Sequence, residues 1–193
     1  MDFLLLFIVA FIIIIVFMFL ENKNKDVSLV LSPVDNKKYL VQNLDDKVEA
    51  ANLLAKTKKN LSDLCSHLKT KYKSDKRVDL VIKRFNPDAI VETAQGSKHT
   101  SYSINKGEKT VYCMRSRDDK NELVKLNTMM FVALHELAHT MSKSIGHTKE
   151  FWDNFRILLR NAIKLKIYKR VNYNEKPVKY CGVDITDDPM NFD

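Results

Sequence analysis

Residues 135–139 read His-Glu-Leu-Ala-His, and the interpretation of the whole chain starts from this short stretch. Positions four apart on an α-helix lie one turn above each other on the same face. His135 and His139 can therefore present both imidazoles to one metal ion, with Glu136 beside them. The spacing predicts a metal-binding helix through these residues.

The residue types in this stretch suit a hydrolytic zinc centre. Neutral imidazoles are good zinc ligands, and the glutamate of an H-E-x-x-H helix serves as general base towards a water on the metal. We therefore expect His135 and His139 to bind Zn²⁺ and Glu136 to be catalytic. The alternative is that both histidines are core residues, because the surrounding helix is apolar.

A catalytic zinc site needs a third protein ligand, and His147 is the leading candidate. It lies eight residues after His139, too far along the chain to share its helix face. Gly146 can end the first helix and Thr148 can cap a second one. A glycine turn between two helices would bring His147 onto the metal, and Glu150 is the alternative ligand.

The His-Glu-Leu-Ala-His stretch, with His147 and the Phe151-Trp152 pair, resembles the WLM metallopeptidases, relatives of the SprT-like group. The resemblance covers roughly residues 100–165, although the loop before His147 is longer than is usual in that group. It implies a zincin-type peptidase in which the three histidines bind zinc, Glu136 is the base and the aromatic pair contributes packing. Typical members act on protein crosslinked to DNA.

Hydrophobic periodicity around the motif predicts an α+β fold. The resemblance makes this a zincin-like domain with an HExxH helix, flanking helices and a small antiparallel sheet, which we place at residues 45–193. The predicted elements are a helix from Asp45 or Asp46 to about Lys71, a short helix over 75–84, a strand over 90–93, a hairpin of 102–104 with 110–114, a metal helix opened by Asn121 or Asn127, a helix over about 149–167 and a strand over 178–181.

The N-terminal segment is strongly apolar, since every residue from 3 to 20 is hydrophobic. This run is near the minimum length that crosses a bilayer as a helix. We therefore predict a transmembrane anchor at residues 1–20 and a linker at 21–44. Lys23 and Lys25 follow the anchor and no basic residue precedes it, so the positive-inside rule predicts a single-pass membrane protein with a cytosolic catalytic domain.

The three cysteines, Cys65, Cys113 and Cys181, are odd in number and widely separated. This pattern shows no obvious disulfide framework, which agrees with a cytosolic domain.

The formal net charge is +8, and basic residues are concentrated in residues 56–86. Such a segment can contact anionic lipid or nucleic acid through phosphates, or can be a solvated helix face. With an anchor nearby we expect contact with anionic lipid rather than nucleic acid, since no nucleic-acid module is recognisable.

Several residues outside the motif are weaker candidates for roles in catalysis. Tyr168, Tyr173 or Tyr180 could donate a hydrogen bond to a tetrahedral intermediate, or could be packing residues. Arg115 and Arg117 could bind a substrate carboxylate, but solvated charges are the stronger interpretation.

The leading hypothesis is a membrane-anchored zinc peptidase that cleaves a protein or peptide substrate. The alternative is a non-enzymatic, membrane-tethered adaptor with a structural zinc site, or a tethering module whose active surface is the basic segment. The Lys-, Asn- and Ile-rich composition, together with the resemblance, suits a protein of a large DNA virus.

Overall fold

The computed structural model describes residues 3–23, 26–118 and 120–191. Its helices are α1 (Phe3–Lys23), α2 (Lys47–Lys71), α3 (Lys76–Arg84), α4 (Leu126–Met141) and α5 (Lys149–Lys164), and a 3-10 turn spans Pro189–Asn191. Its strands are β1 (Val27–Ser32), β2 (Lys37–Gln42), β3 (Ile90–Glu92), β4 (Tyr102–Ile104), β5 (Lys109–Tyr112), β6 (Val178–Tyr180) and β7 (Val183–Ile185). The predicted α+β class is confirmed.

Helix α4 lies at the centre of the fold. It is buried on nearly every side, as its apolar sequence predicts. Helices α2, α3 and α5 all pack against it. Neither Asn121 nor Asn127 caps this helix, because it begins after Lys125. The Asn127 side chain instead bonds the backbone N–H and C=O of Lys169, which fixes the segment after α5 to the start of α4.

The three-stranded sheet has the order β3-β5-β4. Strand β4 pairs antiparallel with β5, as the hairpin prediction required, with Ile104 opposite Lys109. Strand β3 pairs parallel with β5, with Ile90 opposite Thr110, so the sheet is mixed rather than antiparallel. The connection over residues 93–101 is long enough to carry the chain across the sheet to its other edge.

The segment predicted as a linker, residues 21–44, contains the antiparallel hairpin of β1 and β2. This hairpin packs on α2 and buries Tyr39 and Val41. The Gln42 backbone N–H donates to the buried Glu92 carboxylate at 2.7 Å, which joins the hairpin to β3.

A second small hairpin, β6 with β7, follows α5. Its two-residue turn, Cys181-Gly182, has positive φ at both positions, as type I′ turns require. Cys181 forms a disulfide with Cys113, just beyond β5. The expectation of no disulfide is therefore corrected, because folding brings together two cysteines that are 68 residues apart. Cys65 is buried and free.

The predicted transmembrane anchor at residues 1–20 is also corrected. A helix that crosses a bilayer needs about 20 consecutive, mainly apolar residues. Across the described residues, which begin at 3 and omit 1 and 2, no helix combines the length and the apolarity that this requires. The prediction of a single-pass membrane protein is therefore wrong.

Candidate metal centre

Helix α4 supplies two of the three histidines that meet at the candidate site. His135 and His139 lie one turn apart, and their Nε2 atoms are 3.2 Å from each other. The third histidine comes from the ligand loop, residues 142–148, which joins α4 to α5. His147 Nε2 lies 3.1 Å from His135 Nε2. The ligand atoms of all three lie within 4.8 Å of one another.

Two of the three separations between the imidazoles match those around a zinc ion. Tetrahedral nitrogen ligands about 2.0–2.1 Å from zinc lie about 3.3 Å from each other. The two Nε2 separations from His135, 3.1 and 3.2 Å, are close to that value. The donor set also has the right chemistry, because neutral imidazole is a preferred zinc ligand.

The surroundings favour neutral imidazoles at the site. Burial, followed by the proximity of the other two histidines, lowers the pKa of His135 to about 3. Burial also lowers the pKa of His139 to about 4, and the charges of His147 and Lys106 add to the effect. Both rings therefore keep a lone pair available for a metal near neutral pH.

The ligand loop forms much as the sequence predicts. Gly146 has a φ of +80°, which suits glycine. Thr148 caps α5 by accepting a hydrogen bond from the Phe151 backbone N–H at 3.4 Å. Helix α4 ends earlier than Gly146, at Met141, with Ser142 as its C-cap.

Glu150, the alternative ligand, has a different role in the structure. Its carboxylate accepts the backbone N–H groups of Lys143 at 3.0 Å and Ser144 at 2.9 Å, and the Ser144 hydroxyl at 2.6 Å. These bonds hold the ligand loop against the start of α5. Among the described residues, the group able to hold a metal comprises His135, His139 and His147 without Glu150.

Glu136 is buried, 6% exposed, and lines the same cleft as the three histidines. Burial raises the pKa of its carboxyl to about 7. A carboxylate that gains and releases a proton near neutral pH is suited to general acid–base work. Glu136 thus lies one residue from the candidate metal ligand His135, and both line the same cavity.

The cleft has a volume of about 670 Å³. Its floor is α4, and its walls come from β4, the ligand loop, α5, and the segment from β7 to Asp187. β4 is an edge strand of the sheet, and both Tyr102 and Ser103 line the cavity. Three regions distant in sequence therefore enclose the three imidazoles: β4, the continuous stretch from α4 to α5, and the segment from β7 to Asp187.

Aromatic side chains of α5 pack behind the imidazoles. The Phe151 ring centroid lies 4.4 to 4.8 Å from the centroids of the three histidine rings. Trp152 lies 5.7 Å from the His147 ring, and Phe155 lies 5.5 Å from the His135 ring. The packing role expected of Phe151 and Trp152 agrees with these contacts, which restrict how the imidazoles can turn.

Only Tyr180 of the three candidate tyrosines lines the described cleft. Its hydroxyl donates to the Cys113 carbonyl at 2.5 Å and lies 2.6 Å from Ser101 Oγ. Its proton is thus engaged in holding the β6–β7 hairpin to the sheet. Tyr168 and Tyr173 instead pack against Phe131.

Arg115 is a buried structural residue rather than a solvated charge. Its guanidinium donates to Glu92 at 2.8 Å and to Asp46 at 2.7 Å. Arg117 is exposed and donates to the backbone carbonyls of Lys98 and His99. Neither arginine is among the residues that line the cleft.

The basic segment, residues 56–86, lies on α2 and α3. Some of its charges form ion pairs, as Lys58 does with Asp88 and Lys59 with Asp63. Its contact with anionic lipid or nucleic acid stays a prediction.

The fold and this site define an α+β protein with a candidate metal centre of three histidines, two from one helix and one from the loop that follows it. The chain belongs to the same family as Uncharacterized protein R325 of Acanthamoeba polyphaga mimivirus, with which it is 36% identical over 181 residues, 91% of each chain.

Two further relatives are also viral proteins. Uncharacterized protein 042R of Invertebrate iridescent virus 3 is 41% identical over 85 residues, 44% of this chain and 48% of that protein. Uncharacterized protein 136R of Invertebrate iridescent virus 6 is 31% identical over 80 residues, 42% of this chain and 44% of that protein. The expected viral relationship is confirmed.

No protein-family model matches the chain. Among solved structures, Wss1 from Saccharomyces cerevisiae superposes with a TM-score of 0.48 at 19% identity, over 65% of this chain and 86% of that chain.

Proposed function

We propose that the protein is a zinc-dependent peptidase of the WLM type. The observation that carries the proposal is the approach of His139 and His147 to within 3.2 and 3.1 Å of His135, in a cleft that also contains the buried carboxyl of Glu136. This is the residue set that metal-assisted hydrolysis needs: three imidazoles, an adjacent base and a cavity for substrate.

Each side chain has a separate task in this proposal. The three histidines would hold a zinc ion, which supplies Lewis acidity towards water and a substrate carbonyl. Glu136 takes the proton of the attacking water and transfers it to the leaving amine. Its raised pKa suits both steps, because the group must accept a proton and release it within one cycle. Phe151 holds the imidazoles in place by packing against all three rings.

The shape of the cleft favours a peptide substrate. An extended peptide can add to the exposed edge of a sheet through main-chain hydrogen bonds. Strand β4 is such an edge, and its residues Tyr102 and Ser103 line the cavity beside the histidines. A peptide paired with β4 would run past His135 and Glu136.

A purely structural zinc site is less well supported. Structural zinc is usually enclosed by four protein ligands, often including cysteine. Cys113 and Cys181 are bonded to each other, so neither is a free thiolate. Within the described part of the chain, the candidate metal group contains three histidines and no fourth ligand.

The first test of the proposal is metal content. The full chain should bind about one zinc ion, as a site with three protein ligands implies. His147→Ala should lose most of it, while His99→Ala, a control that removes an exposed histidine outside the cleft, should keep it. Equal zinc content in all three proteins would eliminate the proposed centre.

The second test is peptide cleavage by Glu136→Gln. This change keeps the shape of the side chain and removes the base, so zinc content and melting temperature should stay close to those of the wild type. Cleavage of a mixed peptide library, read by mass spectrometry, should fall by about 10²- to 10⁴-fold. Equal rates for the two proteins would assign the cleavage to a contaminant, and a zinc-loaded wild type without cleavage would favour a structural site.

A further inference from the structure

Lys106, in the turn between β4 and β5, makes an unusual set of contacts with the ligand loop. Its ammonium donates to three consecutive backbone carbonyls, those of Ser142 at 3.2 Å, Lys143 at 3.2 Å and Ser144 at 2.5 Å. These carbonyls directly follow the end of α4, where a positive charge is favoured by the helix dipole. One side chain thus binds the first half of the ligand loop.

The turn that carries Lys106 is fixed against the end of α4 by Gly107. This glycine has a φ of +113°, and a Cβ built on it would lie 2.7 Å from Thr140 Cγ2 and 2.8 Å from the Arg84 carbonyl oxygen. The Gly107 carbonyl also accepts the Asn86 backbone N–H at 3.0 Å. Close backbone packing therefore determines where the ammonium of Lys106 lies.

The two residues before His147 have little packing of their own. The Ile145 side chain is 87% exposed, and a Cβ on Gly146 would meet nothing within 4 Å. His147 follows directly. The ring of His147 packs on Phe151 and Trp152, but the course of the chain leading to it depends on how firmly residues 142–144 are held. There Lys106 binds all three carbonyls, Arg84 also binds that of Ser142 at 2.9 Å, and Glu150 binds the N–H groups.

We propose that Lys106 is a positioning residue for the third metal ligand. Its ammonium holds the backbone of residues 142–144, so that His147 is presented to His135 and His139. The inference rests on the proposed zinc site. It means that a residue of the β4–β5 turn contributes to the affinity of that site for zinc. The turn follows the strand proposed to pair with substrate, so Lys106 also connects the substrate strand to the metal loop.

The test is zinc affinity of the full chain, measured by competition with a chromophoric chelator. Lys106→Met should bind zinc about tenfold more weakly than the wild type, the lower end of the effect of groups that support metal ligands. Lys106→Gln can still donate to part of the carbonyl set and should lose less. If Lys106→Met does not fold, Lys106→Gln takes its place in the comparison with the wild type.

Lys109→Met is the matched control, since it removes the same charge from the same hairpin. In the described part of the chain, the hydrogen bonds of residues 142–148 do not include one from Lys109. Its zinc affinity should equal that of the wild type. Electrostatics alone would raise the zinc affinity of both variants, because each removes a positive charge that repels the metal ion. A loss in Lys109→Met equal to that of Lys106→Met would therefore show a general disturbance of the hairpin and overturn the proposal.

A double variant separates positioning from a general structural role. In a His147→Ala background, Lys106→Met should weaken the remaining zinc binding no further, because the loop then carries no ligand. A full additional loss in that background, or a lower melting temperature of the metal-free protein with unchanged zinc affinity, would show that Lys106 acts only on stability. Failure of the wild type to bind zinc would instead refute the proposed function.

Discussion

The carboxylate of Glu150 accepts the backbone N–H of Ser144 at 2.9 Å, so a residue three positions after His147 holds the loop that precedes it. Hydrogen bonds from the Lys143 N–H, the Ser144 hydroxyl and the Ser144 N–H together lower the pKa of Glu150 from 4.5 to about 2. The Glu150 side chain is partly exposed, so its contribution is reduced by screening. The lowered pKa nonetheless fixes the direction in which the contribution of Glu150 to stability changes with pH.

Glu150 should make the metal-free protein sensitive to acid. Because its pKa is lower in the folded state, its stabilising effect is complete above 4.5 and is lost as the pH falls towards 2. The difference in unfolding free energy between wild type and Glu150→Gln should therefore be constant at neutral pH and shrink across that window. Urea unfolding in the presence of a chelator measures it. Glu175→Gln, an exposed carboxylate between α5 and β6, is the control and should not reproduce the trend.

The disulfide between Cys113 and Cys181 should contribute measurably to stability. Closing a loop of 68 residues restricts the unfolded chain by about 4 kcal/mol in the chain-entropy estimate, and measured effects are typically about 2–4 kcal/mol. Replacing both cysteines by serine should lower the unfolding free energy by about that range. A reductant should shift the wild type towards the variant and leave the variant unchanged.

Thiol titration checks the disulfide directly. The chain has three cysteines, of which Cys65 is free. The unfolded, unreduced protein should therefore react at one thiol, and the reduced protein at three. Three reactive thiols before reduction would show that the bond does not form.

Removing Arg115 should be strongly destabilising. Arg115 is 3% exposed and bonds both Glu92 and Asp46, so Arg115→Met leaves the Glu92 carboxylate buried without its cation. Breaking one side of a buried ion pair costs about 3–5 kcal/mol. Burial already raises the pKa of Glu92, and loss of Arg115 should raise it further.

A double variant provides the control for Arg115. Adding Glu92→Gln to Arg115→Met removes the orphaned charge, so the pair should cost less than the sum of the two single changes. Equilibrium urea unfolding of the four proteins gives the coupling energy. Additive effects would mean that the two side chains do not act as a pair.

The elements closest to the site could be predicted because their signals are local. The helical spacing of His135 and His139, the glycine turn before His147 and the Thr148 cap depend on residues within a few positions. The hairpin around Gly107 could also be predicted, because glycine is typical of the turns that join two antiparallel strands.

Features that depend on distant contacts could not be predicted. The parallel pairing of β3 with β5 and the bond between Cys113 and Cys181 join segments well separated in sequence. Asp46 begins α2 as expected, but its carboxylate bonds Arg115 instead of capping the helix. Lys106 gave no sequence signal, because a lysine in a hairpin turn is ordinarily solvated. The transmembrane prediction rested on an apolar run near the minimum length that crosses a bilayer, and it is wrong.

A Cβ on Gly107 would lie only 2.7 Å from Thr140 Cγ2, and this close contact restricts how the family can vary. The β4–β5 turn and the end of α4 are in direct contact, so an atom added to either of them at this point would displace the other. A side chain at position 107 would therefore have to be matched by a shift of Thr140 on α4 and of the Arg84 carbonyl at the end of α3. Among related sequences that keep this packing, we therefore expect glycine at the position of Gly107.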